Sequence, residues 1–332
     1  MTEGKAGSAD APSTLPDMRP RSLRVLPFIS AAVLLALVAA CRSEGDADRL
    51  RLDLERRDPG PVLRTYFGAY LGPDGGDPVA AGLLEQEGET FYVRASALRE
   101  RVGANAPPLD PDGDGTVTDD ELGAFVQATY NAARGFPATL AALGADTSSA
   151  FGVTIRGVMS AAPRRVFVPL PALRDALAGY RRNGQRIVYP AGTVIWGAHG
   201  DGDGETTAMR KRADGAWDFF VYDAQGRLAT TTNGAPRPLR APTQCVGCHF
   251  GQRLFEPEKS FPGEATPGPD GPRALYTEHR DAAVVQALDE HRRRADHVLG
   301  LYGTLYATRL KAARAAGTLA PEDAALLDSL GM

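Results

Sequence analysis

Trp217-Asp218-Phe219-Phe220-Val221-Tyr222 is a strongly strand-forming segment in this chain of 332 residues. Aromatic and β-branched residues favour a pleated, half-buried backbone. Asp214-Gly215 just before it is a hairpin signal, and Thr206–Arg212 alternates as the preceding strand should. Gly192-Thr193-Val194-Ile195-Trp196 has the composition of a further strand. We therefore predict an antiparallel meander across residues 192–222.

A short strand and a helix precede this meander. The strand candidate is Arg165-Val166-Phe167-Val168-Pro169-Leu170, and Pro171–Tyr180 has helical spacing through Leu173 and Leu177. A proline-bearing segment, Asn233–Pro242, follows the meander. The pattern indicates an α+β protein with an antiparallel, β-rich central domain.

The segment Cys245-Val246-Gly247-Cys248-His249 comes next, with the spacing that attaches a c-type haem. The thiols of Cys245 and Cys248 can each add to a haem vinyl group, while the His249 imidazole ligates iron from one side. A structural zinc site would need four ligands, but the sequence has no second cysteine pair. A redox dithiol would be expected at the start of a helix in a βαβ unit. The spacing favours one haem c, with zinc and a dithiol as the alternatives.

Cys41, the third cysteine, stands at the end of a signal-like N-terminus. Met18–Arg24 carries three arginines, Val25–Ala40 is apolar, and Val38-Ala39-Ala40 supplies small residues before Cys41. This order resembles the bacterial lipoprotein signal, whose cleavage leaves a lipidated cysteine. A retained membrane anchor or a buried helix is the alternative, although the apolar run is short for a span. We expect a lipid anchor in the bacterial cell envelope, on the periplasmic side or at the outer membrane.

An EF-hand calcium loop is complete from Asp110 to Glu121. The expected Ca²⁺ ligands, at positions 1, 3, 5, 7, 9 and 12, are Asp110, Asp112, Asp114, the Thr116 carbonyl, Thr118 through water and Glu121. Gly115 at position 6 allows the sharp turn that such a loop needs. The alternative is an acidic surface turn that binds nothing. Asp201–Glu205 copies only the first half of the pattern, which favours a solvated hairpin loop.

The flanks of this loop differ in regularity. Glu121–Tyr130 places Leu122, Phe125 and Val126 on one stripe, so a helix should leave the loop. Ala95–Val102 also has helical character, but two prolines at 107 and 108 disturb the usual direct approach to the loop. Because the sequence shows no partner EF-hand, bracing of the fold by calcium is favoured over calcium sensing.

The overall composition fits an exported globular protein. Its 43% hydrophobic and 23% charged residues are ordinary for that class. The net charge of −4 gives no basic excess for nucleic acid. With its three cysteines assigned to lipid and haem, the chain has no thiol left for a disulfide.

The central part of the chain resembles the cytochrome P-460 and cytochrome c′-β family over about residues 150–262. The resemblance is carried, in order, by Phe167-Val168-Pro169, a helix ending near Arg181, Tyr189–Val194, Trp217–Asp223 and Cys245–His249. It implies a β-rich domain with one haem, bound through the histidine of the motif. It also implies that the opposite haem face is open to a small gaseous or nitrogen-oxide ligand such as nitric oxide.

Members of this family that oxidise hydroxylamine have a lysine joined covalently to the haem. Here Trp196-Gly197-Ala198-His199 lacks the lysine and glutamate often found at that place in the family. Lys211 is the one lysine between Phe151 and the haem cysteines. The sequence therefore argues against hydroxylamine chemistry.

The sequence leaves two interpretations of the sixth iron ligand open. His199 or Met209 could reach the iron, but a polar residue at a strand end and a core methionine are the favoured roles. Trp196, Phe219 and Phe220 could roof an apolar distal pocket or belong to the ordinary core. We expect the C-terminal histidines, His279, His291 and His297, to be solvated.

The predicted organisation has five parts. They are a lipoprotein signal at 1–40 (or from Met18), a lipidated tether at 41–60, a helical EF-hand domain at 61–149, a P-460-like haem domain at 150–262 and a helical extension at 263–332. In the extension, a long amphipathic helix should run from Asp281 to Ala316, end at Gly317 and be followed by a short helix from Pro321.

The expected role is that of an envelope-anchored c-type cytochrome that binds a small ligand or exchanges electrons with a redox partner protein. The alternatives are a six-coordinate electron carrier, an oxidoreductase acting on nitrogen compounds such as hydroxylamine, and a calcium-braced haem sensor.

Overall fold

The computed structural model describes residues 48–54, 59–157, 164–183, 187–200, 204–232, 240–249, 275–277 and 296–332. Several predictions fall outside these ranges: Cys41 with its signal segment, Asp201–Asp203, residues 250–262, His279 and His291. Within the described ranges, none of the helices has the length and apolar character that crossing a membrane requires.

The described residues form two sheets, and the first of them has four strands. They are β1 (Arg49–Asp53), β2 (Leu84–Glu87), β3 (Thr90–Arg94) and β4 (Thr116–Thr118), in the spatial order β2-β3-β1-β4. β1 pairs antiparallel with β3 and parallel with β4. The helices of this part are α1 (Gly60–Ala69), α2 (Ala95–Val102) and α3 (Asp119–Arg134). The helices predicted on both sides of the acidic loop are therefore present.

Our expectation of a helical segment at 61–149 needs correction, because β2, β3 and β4 also lie there. Strand β3 alternates, with Phe91 and Val93 buried and Arg94 exposed. Such a two-residue period is the signature of a half-buried strand. Gly88, between β2 and β3, has φ +61°, a conformation that glycine adopts without strain. The hairpin was thus encoded locally and missed.

The second sheet has seven strands. They are β5 (Ala150–Gly157), β6 (Arg164–Pro169), β7 (Val194–His199), β8 (Thr206–Lys211), β9 (Trp217–Tyr222), β10 (Leu228–Ala229) and β11 (Leu275–Thr277). Their order is β10-β9-β8-β7-β6-β5-β11, and each neighbouring pair is antiparallel. The predicted meander is confirmed. Helices together with antiparallel sheets make the fold α+β.

Register divides this sheet into two faces. One face, which we call the α3 face, carries Phe167, Trp196, Ala208 and Phe220. The opposite face, which we call the α6 face, carries Phe151, Val166, Gly197, Thr207 and Val221. The remaining helices are α4 (Leu170–Ala178), α5 (Thr243–His249), α6 (Asp296–Ala315) and α7 (Pro321–Leu330).

Aromatic contacts show what covers each face. Phe220 stacks on Phe136, just after α3, with ring centroids 4.2 Å apart. Phe151 meets Tyr306 of α6 edge to face at 5.3 Å. One apolar cluster includes these residues and reaches Tyr66 and Phe67 of α1. The described residues therefore share a continuous core.

The two C-terminal helices follow the predicted pattern where the structure describes them. Tyr302, Leu305, Tyr306 and Leu310 are buried on one side of α6. Gly317 follows the helix with φ +68°, and Pro321 begins α7. Arg174 of α4 holds Asp323 of α7 through two hydrogen bonds of 2.9 and 3.0 Å. These contacts fix the C-terminal helices beside the α6 face of the sheet.

Candidate functional site

The acidic loop gathers three carboxylates in one place. Oxygens of Asp110, Asp112 and Asp114 all lie within 4.8 Å of one another. One of these side chains also closes the turn, since Asp110 accepts from the Gly113 and Gly115 amides at 2.8 and 2.9 Å. Gly115 has φ +84°, as expected for the sixth loop position. The chemistry of this oxygen-rich group suits a hard cation such as Ca²⁺.

Strand β1 supports the loop from behind. Leu52 pairs with Val117 in parallel register, and the Arg51 amide donates to the Gly115 carbonyl at 3.1 Å. Val117 is completely buried. The short strand of the loop, β4, is therefore hydrogen-bonded to β1, which lies in the same sheet as the β2–β3 hairpin.

Glu121, the twelfth loop residue, caps helix α3. Its Oε2 accepts from the Thr118 amide and the Thr118 hydroxyl, both at 2.8 Å. The Thr118 side chain in turn accepts from the Glu121 amide, which completes a capping box. Among the described residues, Glu121 is not one of the carboxylates clustered within 4.8 Å. The sequence predicts Glu121 as the last calcium ligand of the loop, whereas in the structure its side chain caps helix α3.

Negative charge accumulates at this loop. The Asp114 amide stabilises the charged form of Asp112 and so lowers its pKa, but the nearby Asp110, Asp114 and Glu121 carboxyl groups outweigh this effect. The pKa of Asp112 is therefore raised above its ordinary value. Like charges this close disfavour ionisation, and a bound cation would relieve their repulsion.

Helix α3 leads from this loop to the cysteine motif. Two turns into the helix, Gln127 Nε2 donates to the carbonyls of Thr230 and Ala241, at 2.9 and 3.1 Å. One turn later, Asn131 Nδ2 donates to the Ala229 carbonyl at 3.1 Å. These bonds hold both the end of the meander and the start of the cysteine helix against α3.

The C-terminal end of α3 is held by buried charge. The Arg134 and Asp218 side chains are both 0% exposed and form a two-point ion pair, Nε–Oδ1 at 2.9 Å and Nη2–Oδ2 at 2.7 Å. Arg210 Nη2 donates to the same carboxylate at 3.0 Å, and Tyr130 donates to it at 3.0 Å. Arg212 lies 3.6 Å away. One aspartate therefore balances several cations between α3 and the sheet.

Helix α5 carries the cysteine motif. Thr243, Gln244 and Val246 are buried and anchor this short helix, while Cys245 is half-buried and packs against the core. Cys248 and His249 belong to the same helix, but their side chains lie outside what the structure describes. Positions i, i+3 and i+4 of a helix share one face. The backbone therefore places the three motif residues on the same side of α5.

The surroundings of Cys245 keep its thiol neutral. Burial raises the pKa of Cys245 to about 12, and the positive charge of Arg164 opposes this rise only partly. Arg164 also lowers the pKa of Tyr302, where desolvation is the larger, opposing effect. The sequence analysis did not single out Arg164. This residue stands two positions before Val166 in β6, and alternate residues of a strand lie on one face, so both belong to the α6 face.

The structure puts the two candidate sixth ligands on the α6 face. His199 ends β7, where its Nε2 lies 3.3 Å from the Thr207 hydroxyl. Burial, assisted by the charge of Arg164, lowers the pKa of His199 to about 4, so the imidazole is neutral at physiological pH. Met209 lies in the apolar core between Ile195 and Phe219 in register. Neither position conflicts with its ordinary role at a strand end or in the core.

The three aromatics considered as a pocket roof do not share a face. Trp196 and Phe220 lie on the α3 face, where Trp196 stacks on Phe167 at 5.5 Å, whereas Phe219 points to the α6 face with Met209. The idea of a common roof is therefore wrong, because alternate strand residues point in opposite directions. His297 lies in α6, and its side chain is outside the described set.

Lys211 lies at the hairpin end of β8. Its ammonium group contacts the Gly215 carbonyl and lies 5.2 Å from the centre of the Trp217 ring. It ends β8 at the hairpin, whereas Thr206, the first residue of β8, pairs with Ala198 next to His199. The two ends of β8 are about 16 Å apart at ~3.3 Å per residue. Lys211 and His199 thus lie at opposite ends of the β7–β8 pair.

Comparison of the chain with models of protein families, with curated proteins and with solved structures finds no match.

Proposed function

We propose that this protein is a c-type cytochrome of the P-460-like type, with one haem attached through Cys245 and Cys248 and ligated by His249. The observation that carries the proposal is the complete haem-attachment motif on a short helix, α5, which is anchored against the core and held at its start by α3. Cys245 occupies a setting in which its thiol stays protonated.

The donor set fits haem better than its alternatives. Four-coordinate zinc would need two further ligands beside the two thiols. A reactive dithiol would need a thiol pKa that is lowered, but burial raises that of Cys245. The haem would supply a redox-active iron with one axial position for an exogenous ligand. Cys245 and Cys248 would hold the porphyrin, and His249 would fix the iron.

Small-ligand binding is the role that the site supports best. The resemblance to the P-460 and c′-β family implies an open haem face, and the core position of Met209 speaks against this residue as a sixth ligand. Electron transfer to a redox partner is the second role, since neutral His199 retains the capacity to ligate iron. The place of Lys211 at the far hairpin disfavours a lysine cross-link and with it hydroxylamine oxidation.

The test is a spectrum of the matured protein. When the protein is produced with a c-type maturation system, we expect covalent haem and a visible spectrum that shifts on addition of nitric oxide. A spectrum unmoved by nitric oxide, with a methionine or second histidine ligand, would instead support the six-coordinate carrier. A red-shifted Soret band would indicate a lysine cross-link and revive the enzyme alternative.

The same proposal places the protein in the bacterial envelope. A signal ending before Cys41 supports lipid attachment and export, and c-type haem is consistent with an exported protein. The membrane is therefore a partner through the lipid, and the expected soluble partners are a small nitrogen-oxide ligand or a redox protein.

We propose that the loop at Asp110–Glu121 binds Ca²⁺ and braces the fold. Three clustered carboxylates, the mutual repulsion that raises the pKa of Asp112 and the pairing of the loop strand with β1 support this role. Because α3 begins in the loop and then contacts residues 229, 230 and 241, bound calcium would stabilise the support of the haem helix.

Replacing Glu121 with glutamine should weaken calcium binding by roughly an order of magnitude or more, since affinity follows the number of charged ligands. Glutamine can still accept the capping-box hydrogen bonds, so stability without calcium should stay close to that of the wild type. Unfolding in calcium and in chelator, together with calorimetric titration, measures both quantities. Glu100→Gln, on exposed helix α2, is the control. An unchanged calcium response in the Glu121 variant would contradict the assignment.

A further inference from the structure

Arg164 is a half-buried cation beside the cysteine helix. Its side chain crosses the neighbouring strand at Gly197, where an added Cβ would lie 2.9 Å from Arg164 Cδ. Any residue larger than glycine at 197 would therefore push against the arginine stem. The glycine keeps open the path by which the guanidinium reaches over the α6 face.

In the part of the chain that the structure describes, no carboxylate forms an ion pair with Arg164. The polar groups beside it on this face are Thr207, 3.3 Å from the Cβ position at 197, and neutral His199, which contacts the Thr207 hydroxyl. Glu205 stands opposite His199 and two residues before Thr207, so its buried side chain lies on the same face. The charge of Arg164 acts on His199, Tyr302 and Cys245. Because Glu205 does not pair with Arg164, the guanidinium is suited to bind an anion.

Other buried or half-buried arginines of the described residues pair with carboxylates. Arg134 and Arg212 are buried and bind Asp218 and Asp214 at 2.7 and 2.8 Å. Arg174 binds Asp323 at 2.9 Å. Arg165, next to Arg164, points to the α3 face, where it is exposed and lies 5.0 Å from the Phe167 ring centre. Arg164 therefore combines partial burial with the lack of an ion pair to any described carboxylate.

We propose that Arg164, placed by Gly197 and flanked by Thr207 and His199, is an anion-binding residue of the haem site. This inference rests on the proposed haem function and names the ligand chemistry of the same site. The ligand is a small carboxylate or oxyanion, which a guanidinium can hold with two parallel hydrogen bonds. Two sources supply that chemistry: a propionate of the haem itself, or an exogenous anion such as nitrite.

The experiment compares Arg164→Gln, Arg164→Lys and the neighbouring control Arg165→Gln, all as matured protein. Nitrite is titrated against the ferric protein and followed by visible absorbance, nitric oxide serves as the neutral ligand, and the reduction potential is measured without added anion. If the anion is exogenous, Arg164→Gln should weaken nitrite binding by roughly tenfold or more while nitric oxide binding changes little. Arg164→Lys keeps the charge without the planar fork and should give an intermediate loss.

If the anion is a haem propionate, nitrite binding should be unchanged, while the reduction potential of Arg164→Gln should fall, because the propionate loses its compensating positive charge. A lowered potential in Arg164→Gln, absent in Arg165→Gln, therefore supports the proposal in this second form. If the Arg164 variants contain haem but match Arg165→Gln in nitrite affinity and in reduction potential, the proposed role of Arg164 is wrong and the haem function still stands. A colourless wild-type protein would overturn the haem function and this inference together.

Discussion

Replacing both Cys245 and Cys248 with serine is expected to abolish covalent haem in the matured protein. Each thiol forms one thioether bond, and a serine hydroxyl does not add to the vinyl group under the same conditions. The denatured wild-type chain should retain haem colour after separation on a gel, and the double variant should show none. The intact mass of the double variant should equal that of the polypeptide and its lipid alone.

Single variants separate attachment from ligation. Cys245→Ser and Cys248→Ser each leave one thiol, so either protein can retain a single thioether and a reduced haem content. His249→Ala keeps both thiols but removes the imidazole, so covalent haem should persist with an altered spectrum. Cys41→Ser is the matched cysteine control, because Cys41 belongs to the predicted lipid anchor, and it should keep full haem content.

The same variants distinguish haem from zinc. If Cys245 and Cys248 held zinc, the wild-type protein would be colourless, and the double variant would lose the metal in elemental analysis. Haem colour that survives denaturation in the double serine variant would show that attachment occurs elsewhere and would remove the central assignment.

The parts of the fold that were predictable are those encoded by local pattern. Strand β9 and its hairpin partner β8 combine aromatic and β-branched residues with a turn signal at Asp214-Gly215. Helix α3 has its apolar stripe at Leu122, Phe125 and Val126, and all three are buried. In such segments a neighbour within four residues decides the conformation, so the sequence alone is sufficient.

Apart from the β2–β3 hairpin, the parts that were missed depend on distant residues. Val117 forms a strand only because residues 51–53 lie beside residues 116–118, a pairing that no local spacing announces. Asp218 interrupts an aromatic strand, and its partner Arg134 is 84 residues away along the chain. The role of Arg164 depends on Gly197 in the next strand. In each example the three-dimensional register, rather than the composition, creates the feature.

The candidate site shows the same division. The carboxylate cluster and the cysteine motif were both visible as short motifs with fixed spacing, since their ligands come from consecutive turns of chain. By contrast, the separation of Phe219 from Trp196 and Phe220 follows from which way each strand faces. Motifs therefore located the chemistry, but the sheet decides which side chains can take part in it.

Replacing Asp218 with asparagine is expected to lower the free energy of unfolding by about 3–5 kcal/mol, the usual cost of leaving a buried charge without its partner. Asparagine has nearly the same shape as aspartate, so packing stays intact and the loss reports on charge. Arg134 and Arg212 would remain buried, and the amide group of asparagine could direct a donor at a guanidinium. Chemical denaturation in saturating calcium, followed by circular dichroism, measures the change.

The matched control is Asp223→Asn, which also removes one aspartate paired with an arginine. Arg227 holds Asp223 at 2.9 Å, but the Arg227 side chain is 69% exposed, and solvent compensates for the lost charge. The expected change there is under ~1 kcal/mol. An Asp218 variant no less stable than the Asp223 variant would show that the buried arginines find other partners. A large loss at Asp218 alone would establish that this carboxylate joins α3, which begins at the calcium loop, to the sheet that supports the cysteine helix.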